Sequence, residues 1–262
     1  MKIGILYICT GRYSIFWKEF YLSMEKNFIY SAEKHYFVFT DSKEIDFEKN
    51  NQNIHRIYQE DLGWPDNTLL RFTMFLGIKE DLSLMDYLFF FNANLIVLEK
   101  ISSEEFLPKN NEKLVATLHP GFYNKKRKSF TYDRNKKSTA YISKNEGINY
   151  FAGGLNGGIT QAFLEAICSM SNKIDTDTKN NVVAKWHDES HWNRYLIGRN
   201  DIKILTPSFL YPINKDLPFK PIILIRDKNN YGGHHALRNK RNNYLNRLLV
   251  ILKILFYKIK KK

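Results

Sequence analysis

The chain has 262 residues, of which 44% are hydrophobic and 15% aromatic, so it can form one large α/β domain or two small ones, and intrinsic disorder is excluded. Its two cysteines, Cys9 and Cys168, lie far apart in no Cys-x-x-Cys or Cys/His pattern, which argues against a disulfide framework or a zinc site. Of the net charge of +13, residues 228–262 carry +10, because they contain ten Lys or Arg and no Asp or Glu. The first 227 residues therefore carry only +3, and a nucleic-acid-binding function would depend on the tail alone.

The N-terminal sequence predicts a cytoplasmic protein. Met1-Lys2 precedes an apolar run that stops at residues 10–12 (TGR), and no signal-peptide cleavage site follows. No window of the sequence reaches the roughly 18 apolar residues of a membrane-spanning helix. We therefore expect the chain to begin directly with its first core strand.

Apolar runs and segments with helical spacing alternate along the chain, which predicts an α/β fold. Strand, helix and strand at the N-terminus are typical of a nucleotide-binding sheet, whose ligand lies at the carboxyl ends of the strands. Neither a GxGxxG sequence nor a P-loop is present, which argues against dinucleotide binding and kinase activity. Strands are predicted at residues 2–9, 35–40, 54–58, 87–98, 114–118, 202–205 and 222–225, and helices at residues 13–28, 67–79 and 159–170.

The most informative stretch is residues 184–193 (AKWHDESHWN), where Asp188 and Glu189 lie among two histidines and two tryptophans. Polar groups and large rings at this density suit a pocket for a polyhydroxylated ligand, because rings cover the apolar faces of a sugar and carboxylates bind its hydroxyls. A helix N-terminus is the alternative, with Asp188 or Ser190 as the cap and the tryptophans in the core.

Two asparagines interrupt the most apolar predicted strand, residues 87–98 (YLFFFNANLIVL). Side chains alternate along a strand, so Asn92 and Asn94 would project from the same face and would need partners, which a ligand could supply. A turn or bulge at a strand end is the alternative, since asparagine is common there. Two aspartates at this spacing would indicate a metal site, whereas neutral amides are poor ligands for a hard divalent cation.

Three further segments have both a structural and a ligand-binding interpretation. For Arg71, in the predicted helix 67–79, an exposed arginine is the simpler interpretation. His119 follows a strand and precedes a Pro-Gly turn, as expected of a structural histidine or of a pocket rim, and a basic loop follows at residues 124–137. Residues 150–158 (YFAGGLNGG) contain four glycines, which let a backbone approach a ligand closely but also occur in bulges.

The C-terminal region divides into two parts. Residues 227–241 are basic and rich in Gly, Asn and His, as expected of a mobile segment that closes over an anionic ligand. Residues 244–262 predict a basic amphipathic helix on an anionic membrane surface, or else a helix packed on the body or on a partner. We therefore expect a catalytic domain at residues 1–241, with residues 227–241 as its lid, and a basic tail at residues 242–262.

Several motifs together resemble glycosyltransferase family 6, the family of the blood-group A/B and α-1,3-galactosyltransferases. They are residues 117–123 (TLHPGFY), 130–134 (FTYDR), 153–158 (GGLNGG) and 186–191 (WHDESH), in that order. The resemblance implies a GT-A fold, a single α/β domain with a mixed, largely parallel central sheet flanked by helices. It also implies retaining transfer of Gal or GalNAc from a UDP-sugar to the 3-hydroxyl of an acceptor galactose, by family analogy in a fucosylated, H-antigen-like glycan.

The resemblance also implies roles for individual residues. Tyr13 would stack on uracil, Arg71 would meet the diphosphate or the donor sugar, and Glu189 would be the catalytic glutamate. Ala152 and Gly154 match the positions that set donor choice, and because both are small they favour UDP-GalNAc over UDP-Gal. Donor contacts are further assigned to Tyr7, Ile8, Gly153, His187 and Asp188, acceptor contacts to His119, Thr131, Trp186 and Glu189, and closure over the diphosphate to Lys228 and Arg238.

Asn92-Ala93-Asn94 is the main departure, because animal members have Asp-x-Asp here and bind manganese through it. The chain resembles the metal-independent bacterial branch, so we expect no metal ion or other cofactor and a location in the bacterial cytoplasm, with peripheral contact of the tail with the cytoplasmic membrane. Lys228 would then be catalytic, stabilising the charge of UDP together with Arg71, Arg238 and the two asparagines. The alternatives are a carbohydrate-binding protein without turnover and a basic membrane-surface adaptor.

Overall fold

A seven-stranded, largely parallel sheet organises the part of the chain that the computed structural model describes, residues 1–237. The strands are β1 Lys2–Ile8, β2 Glu33–Thr40, β3 Ile54–Tyr58, β4 Tyr87–Phe91, β5 Leu95–Val97, β6 Leu114–Leu118, β7 Phe151–Ile159, β8 Ile202–Leu205, β9 Tyr211–Pro212 and β10 Ile223–Ile225. The helices are α1 Trp17–Asn27, α2 Asp66–Leu69, α3 Arg71–Leu76, α4 Lys79–Leu82, α5 Ser103–Phe106, α6 Thr160–Lys179, α7 His187–Leu196 and α8 Gly233–Leu237. Short 3₁₀ helices cover Gly11–Phe16, Arg127–Ser129, Pro207–Leu210 and Lys228–Tyr231.

The strand order of the main sheet is β3-β2-β1-β4-β7-β6-β8, and only β7 runs antiparallel to its neighbours. A second sheet of three strands has the order β5-β10-β9. The prediction of a mixed, largely parallel sheet flanked by helices is therefore confirmed. No helix within residues 1–237 is long and apolar enough to cross a membrane.

Both faces of the main sheet are buried, as expected for parallel strands covered by helices. Along β1, Ile5 and Tyr7 pack in the core that includes α1, whereas Leu6 packs in the core that includes α3 and α6. This two-sided burial explains why β1 is a continuous apolar run with no polar alternation.

Two predicted helices are divided. The segment 13–28 begins as a 3₁₀ helix and becomes α1 only at Trp17. The segment 67–79 is broken at Leu70 and Ile78, whose backbone angles lie outside the α region, so it forms α2, α3 and the start of α4. Arg71 begins α3 and is 2% exposed, so the interpretation as an exposed arginine is wrong.

The prediction of one strand over residues 87–98 is also wrong. β4 ends at Phe91, residues 92–94 turn, with the Leu95 N–H donating to the Asn92 carbonyl at 3.1 Å, and β5 joins the second sheet. The two asparagines therefore do not share a strand face: Asn92 is exposed and Asn94 is buried. A turn at a strand end, the alternative interpretation, describes this segment.

The glycine-rich segment forms β7, an interior strand of the main sheet. A Cβ atom at Gly157 would overlap the Leu88 carbonyl oxygen of β4, so the neighbouring backbone excludes any side chain at this position. Further towards the amino end of β7, Gly153 and Gly154 meet α7 and the Asn92 turn. The glycines thus let β7 pass closely between its neighbours and beneath the first turn of α7.

Replacing Gly157 by alanine is expected to lower the free energy of unfolding by about 2 kcal/mol or more, because backbone atoms of β4 must move. Gly154→Ala, in the same strand, is the matched control, since its new methyl would meet mainly the end of the Asn92 side chain, 2.9 Å away. Thermal unfolding of both variants measures the difference. Equal losses would contradict the packing of β7 on β4.

Candidate active site

A cleft opens at the carboxyl ends of β1 and β4, where the amino end of β7 and the first turn of α7 also meet. Ligands of open α/β sheets bind at this edge. The cleft is lined by Ile8, Thr10, Tyr13, Asp61, Trp64, Asn67, Thr68, Arg71, Phe90, Asn92, Ala93, Asn94, Gly153, Gly154, Trp186, His187, Asp188, Glu189, Lys228 and Leu237.

Asn193 fixes the position of α7 on β7. Its Nδ2 donates to the Phe151 carbonyl at 2.8 Å, and its Oδ1 accepts from the Phe151 N–H at 2.9 Å, so the side chain pairs with the strand like a neighbouring backbone. The same Nδ2 donates to the Glu189 carbonyl at 2.9 Å. These bonds place the two carboxylates of the first turn, Asp188 and Glu189, over Gly153.

Glu189 is held through both carboxyl oxygens by uncharged donors. The Gly153 N–H donates to Oε2 at 2.8 Å, and the Tyr150 hydroxyl donates to Oε1 at 2.9 Å. Burial raises the pKa of Glu189 to about 7, although both hydrogen bonds lower it. Near neutral pH the carboxyl is therefore divided between its two protonation states, as suits a group that reacts in the cleft.

Asp188 forms a buried ion pair with Arg71. The Arg71 guanidinium lies 2.8 Å from Asp188 Oδ2, and both side chains are at most 3% exposed. The guanidinium also donates to the Gly153 carbonyl at 2.8 Å and lies 4.2 Å from the centre of the Phe90 ring. Burial raises the pKa of Asp188 to about 6, because it outweighs the attraction of Arg71.

Gly153 links the two carboxylates. Its N–H binds Glu189, and its carbonyl binds Arg71, the ion-pair partner of Asp188. A Cβ atom at this position would lie 3.1 Å from both Asp188 Oδ2 and Glu189 Cβ. A side chain at residue 153 would therefore crowd the first turn of α7.

A buried arginine joins the Asn92–Asn94 turn to the C-terminal segment. Arg226 donates to the carbonyls of Phe16 at 3.0 Å, and of Ala93 and Leu95 at 3.3 Å, and it also binds Glu19. In addition, the Arg226 N–H donates to the Asn94 carbonyl, and Asn94 Nδ2 donates to the Arg226 carbonyl, both at 2.9 Å. Asn94 thus anchors the segment that continues to Lys228.

Lys228 faces the cleft at the end of this anchored segment. Its ammonium lies 5.2 Å from the centre of the Tyr13 ring, and Asp227 caps the 3₁₀ helix that begins at Lys228. Tyr231 packs on Phe16, with ring centres 4.5 Å apart. The first part of the predicted lid therefore lies over the 3₁₀ helix that carries Tyr13.

A second group of predicted residues lies on the other side of Glu189. Thr131 donates to the Tyr150 hydroxyl at 3.2 Å, and the rings of His119 and Tyr150 are 5.6 Å apart. Burial, aided by the nearby Lys215 charge, lowers the pKa of His119 to about 4, so the imidazole is neutral. Its Nδ1 accepts the Gly121 N–H at 2.9 Å, which leaves the proton on Nε2. Tyr150 connects this group to Glu189.

The structure brings most of the predicted site residues into one cleft. Tyr7 and Ala152 do not line it: the Tyr7 hydroxyl is buried and donates to the Ala93 carbonyl at 2.8 Å, and Ala152 is buried beside the cleft. Arg238 and the predicted tail at residues 242–262 lie outside the described residues. The predicted residues that line the cleft are Ile8, Tyr13, Arg71, Asn92, Asn94, Gly153, Gly154, Trp186, His187, Asp188, Glu189 and Lys228.

The helix-capping interpretation of residues 184–193 is correct only in part. α7 does begin here, but Asp188 and Glu189 lie in its first turn, and the N-cap residue is Trp186, whose side chain makes no capping hydrogen bond. Ser190 instead accepts the Trp186 N–H at 2.9 Å. Of the two tryptophans, Trp192 is in the core, whereas Trp186 is 45% exposed.

Several residues of the cleft were not predicted from the sequence. Asp61, Trp64, Asn67 and Thr68 come from the segment before and within α2, and no sequence pattern distinguishes them from an ordinary loop. Tyr150, which binds Glu189, precedes the glycine-rich strand by one residue, and only that position could have indicated it.

With this geometry established, comparison with known proteins identifies the class: the chain belongs to glycosyltransferase family 6, whose family model matches residues 1–239. It is therefore a glycosyltransferase of GT-A type. It is 38% identical to the O-antigen biosynthesis glycosyltransferase WbnI of Escherichia coli over 234 residues, which cover 87% of this chain and 95% of that protein.

Animal relatives are more distant. The chain is 30% identical to the histo-blood group ABO system transferase 1 of Rattus norvegicus, across 80% of this chain and 60% of that protein. It is also 30% identical to the globoside alpha-1,3-N-acetylgalactosaminyltransferase 1 of Gallus gallus, across 91% of this chain and 70% of that protein. The chain thus spans nearly all of the E. coli relative but only 60% and 70% of these two animal proteins.

Replacing Arg71 by methionine is expected to destabilise the fold by about 3 kcal/mol at pH 8, because Asp188 would be left buried, charged and unpaired. At pH 5 the loss should be smaller, since the pKa of Asp188 is already raised and the uncharged form tolerates burial. Adding Asp188→Asn should recover stability at pH 8. Urea unfolding at the two pH values measures these differences.

Arg194→Met is the matched control, because Arg194 forms an ion pair with Glu146 at 3.2 Å in which both side chains are more than a third exposed. Its cost should be below about 1 kcal/mol at either pH. Equal costs for the two arginines would contradict the role of the buried pair.

Proposed function

We propose that this glycosyltransferase transfers GalNAc, or Gal, from a UDP-sugar in α-1,3 linkage to an acceptor galactose, with retention of configuration at the anomeric carbon. The observation that carries the proposal is the position of Glu189, between the cleft and the His119–Thr131 group, with both oxygens held by Tyr150 and Gly153. The names of the animal relatives support GalNAc and the alpha-1,3 linkage. A fucosylated, H-antigen-like galactoside is the proposed acceptor.

The donor would lie along the cleft from Tyr13 to Asp188. Uracil would stack on Tyr13, the diphosphate would lie between Asn92 and Lys228, and the sugar would reach His187 and Asp188. Arg71 is already engaged by Asp188 and Gly153, so we propose that it orients these groups. Ala152 and Gly154, which match the family positions that set donor choice, are both small, and this supports UDP-GalNAc over UDP-Gal.

A divalent cation does not fit the Asn92–Asn94 turn. Both side chains are neutral amides, and Asn94 Nδ2 donates to the Arg226 carbonyl. The Arg226 guanidinium, which binds the turn carbonyls of Ala93 and Leu95, already places a positive charge at the turn. We therefore propose transfer without a metal ion.

Without a metal, cationic side chains would stabilise the departing UDP. We take Lys228 as the candidate within the described residues, because it lines the cleft beside Tyr13, whereas Arg71 is engaged by Asp188. We propose that residues 227–241 close over the diphosphate, with Arg238 as a second cation, and thereby exclude water from the reaction.

The reaction breaks the bond between the anomeric carbon and the β-phosphate oxygen and forms a bond to the acceptor 3-hydroxyl oxygen. The electron pair of the broken bond leaves with UDP, and the hydroxyl proton passes to the leaving phosphate or to solvent. Glu189 would act as a covalent nucleophile, which requires two inversions, or would stabilise an oxocarbenium-like transition state during transfer on one face. Both routes need Glu189 ionised.

Membrane contact and the adaptor alternative depend on the tail, whereas carbohydrate binding without turnover would use the same cleft. Peripheral contact with the bacterial cytoplasmic membrane would use residues 242–262, which are basic and apolar in sequence. A carbohydrate-binding protein without turnover would bind both sugars and release no product. A membrane-surface adaptor would depend on the tail alone, which truncation after Arg241 tests.

Transfer is expected to depend on the ionisation of Glu189. Since burial raises the pKa of Glu189 to about 7, kcat/KM should rise as the pH increases from 6 to 8. Glu189→Gln should lower kcat by about 10²-fold or more, because a neutral amide cannot stabilise the developing positive charge. Product mass and linkage, with UDP-GalNAc and UDP-Gal as donors, provide the measurement.

Glu146→Gln is the matched control, because Glu146 is a surface carboxylate paired with Arg194, and it should leave the pH profile unchanged. Near-normal turnover by Glu189→Gln would reject the catalytic assignment. Binding of donor and acceptor with no product from the wild type would favour the carbohydrate-binding alternative.

A further inference from the structure

The basic loop at residues 124–137 carries a charge that the proposed reaction does not use. It contains seven Lys or Arg and one acid, Asp133, and so has a net charge of +6. The first 227 residues together carry only +3, so all of them outside this loop sum to −3. Within the first 227 residues, the excess positive charge is therefore concentrated in this loop.

The charge of the loop is not neutralised within the described residues. Asp133 is 3% exposed and accepts the backbone N–H groups of Lys185 and Asn135 at 2.9 and 2.8 Å, so it pairs with none of the loop cations. Arg127 and Arg134 donate to backbone carbonyls. The five lysines of the loop are exposed and form no ion pair in residues 1–237: Lys125, Lys126, Lys128, Lys136 and Lys137.

Aromatic packing holds this loop against the acceptor side of Glu189. The rings of Phe130 and Tyr132 lie 5.9 and 5.3 Å from that of Tyr150, which binds Glu189. Thr131, between them, donates to the Tyr150 hydroxyl. The lysines within residues 125–128 therefore lie, in sequence, just before the residues that contact Tyr150.

A further lysine extends the positive surface from another segment. Lys215 Nζ lies 3.5 Å from the point where a Cβ atom of Gly121 would be, next to His119. The charges of Lys215 and Lys125 both contribute to the lowered pKa of His119. Cations from two segments of the chain therefore lie near the proposed acceptor site.

A neutral glycan gains little from such a field, and clustered like charges repel one another, so the arrangement fits an anionic partner. Phosphate is the group that several flexible lysines bind well as point charges. The loop lacks the means to enter a bilayer, because its two large aromatic residues, Phe130 and Tyr132, are buried. A phosphate on the acceptor itself explains why the cations border this part of the site.

We propose that the cationic loop, with Lys215, binds a phosphate group attached to the reducing end of the acceptor glycan. The proposal rests on the proposed function, because it takes the His119–Thr131 group as the acceptor site. The loop thus selects acceptors that are still joined to a phosphate-bearing carrier over free neutral oligosaccharides. The reaction that supplies this acceptor is therefore of a class whose product still carries a sugar phosphate ester.

The test compares two acceptors that differ only in charge, 2′-fucosyllactose and the same trisaccharide with a phosphate at its reducing end. For the wild type at low salt, kcat/KM should be at least about tenfold higher for the phosphorylated acceptor, chiefly through KM. The preference should shrink as sodium chloride is raised to 0.5 M, because salt screens exposed charges.

The variant Lys125→Gln/Lys126→Gln/Lys128→Gln should bring the ratio of the two kcat/KM values down to about one or two. Lys18→Gln/Lys26→Gln/Lys100→Gln removes the same charge from exposed positions on α1 and before α5, and should retain the wild-type ratio. Equal reductions by both variants would mean a general effect of net charge and would overturn the proposal. No preference of the wild type for the phosphorylated acceptor would overturn it as well.

Calorimetric titration of the two glycans, in the presence of UDP, separates this inference from the proposed function. Tighter binding of the phosphorylated glycan without any transfer would leave the loop assignment standing and reject the proposed reaction. Co-sedimentation with phosphatidylglycerol vesicles tests the membrane as a competing partner. Vesicle binding that the loop variant abolishes, with no discrimination between the two glycans, would assign the loop to a lipid surface instead.

Discussion

The hydrogen bonds between α7 and β7 are the constraint on which the rest of the site depends. Asn193 pairs with the backbone of Phe151, and the Gly153 peptide then binds Glu189 through its N–H and Arg71 through its carbonyl. One strand thus sets the position of the Glu189 carboxyl and of a buried ion pair. A side chain at residue 153 would crowd both carboxylate residues of α7, which explains why the strand has so few side chains where it passes the helix.

The opposite wall of the cleft depends on Arg226. Its guanidinium binds carbonyls of the 3₁₀ helix that carries Tyr13 and of the Asn92–Asn94 turn, and its own carbonyl is bound by Asn94. The Tyr13 end of the cleft, the turn and the segment that carries Lys228 are therefore joined by one buried cation. In this arrangement Asn94 connects two parts of the protein, and in the proposed reaction the charge that acts on the diphosphate comes from Lys228.

Much of the sheet could be predicted from the sequence, because the parallel strands are buried on both faces and form unbroken apolar runs. Much of the site could be predicted as well, because residues 186–191 combine residue types rarely found together in a core. The helix breaks at Leu70 and Ile78 could not, since the backbone angles there are set by tertiary packing. The turn at the two asparagines could not be predicted for the same reason, because hydrogen bonds from Tyr7 and Arg226 to the Ala93 carbonyl stabilise it. Tyr150 had no local pattern to distinguish it.

The central claim is that side chains replace a metal ion in stabilising UDP as it leaves. Its most direct test is transfer from UDP-GalNAc to 2′-fucosyllactose by the wild type and by Lys228→Ala, in EDTA and in manganese. We expect full wild-type activity in EDTA, and a loss of kcat in Lys228→Ala that manganese does not restore. Wild-type transfer that requires manganese, or an unchanged rate in Lys228→Ala, would contradict the account.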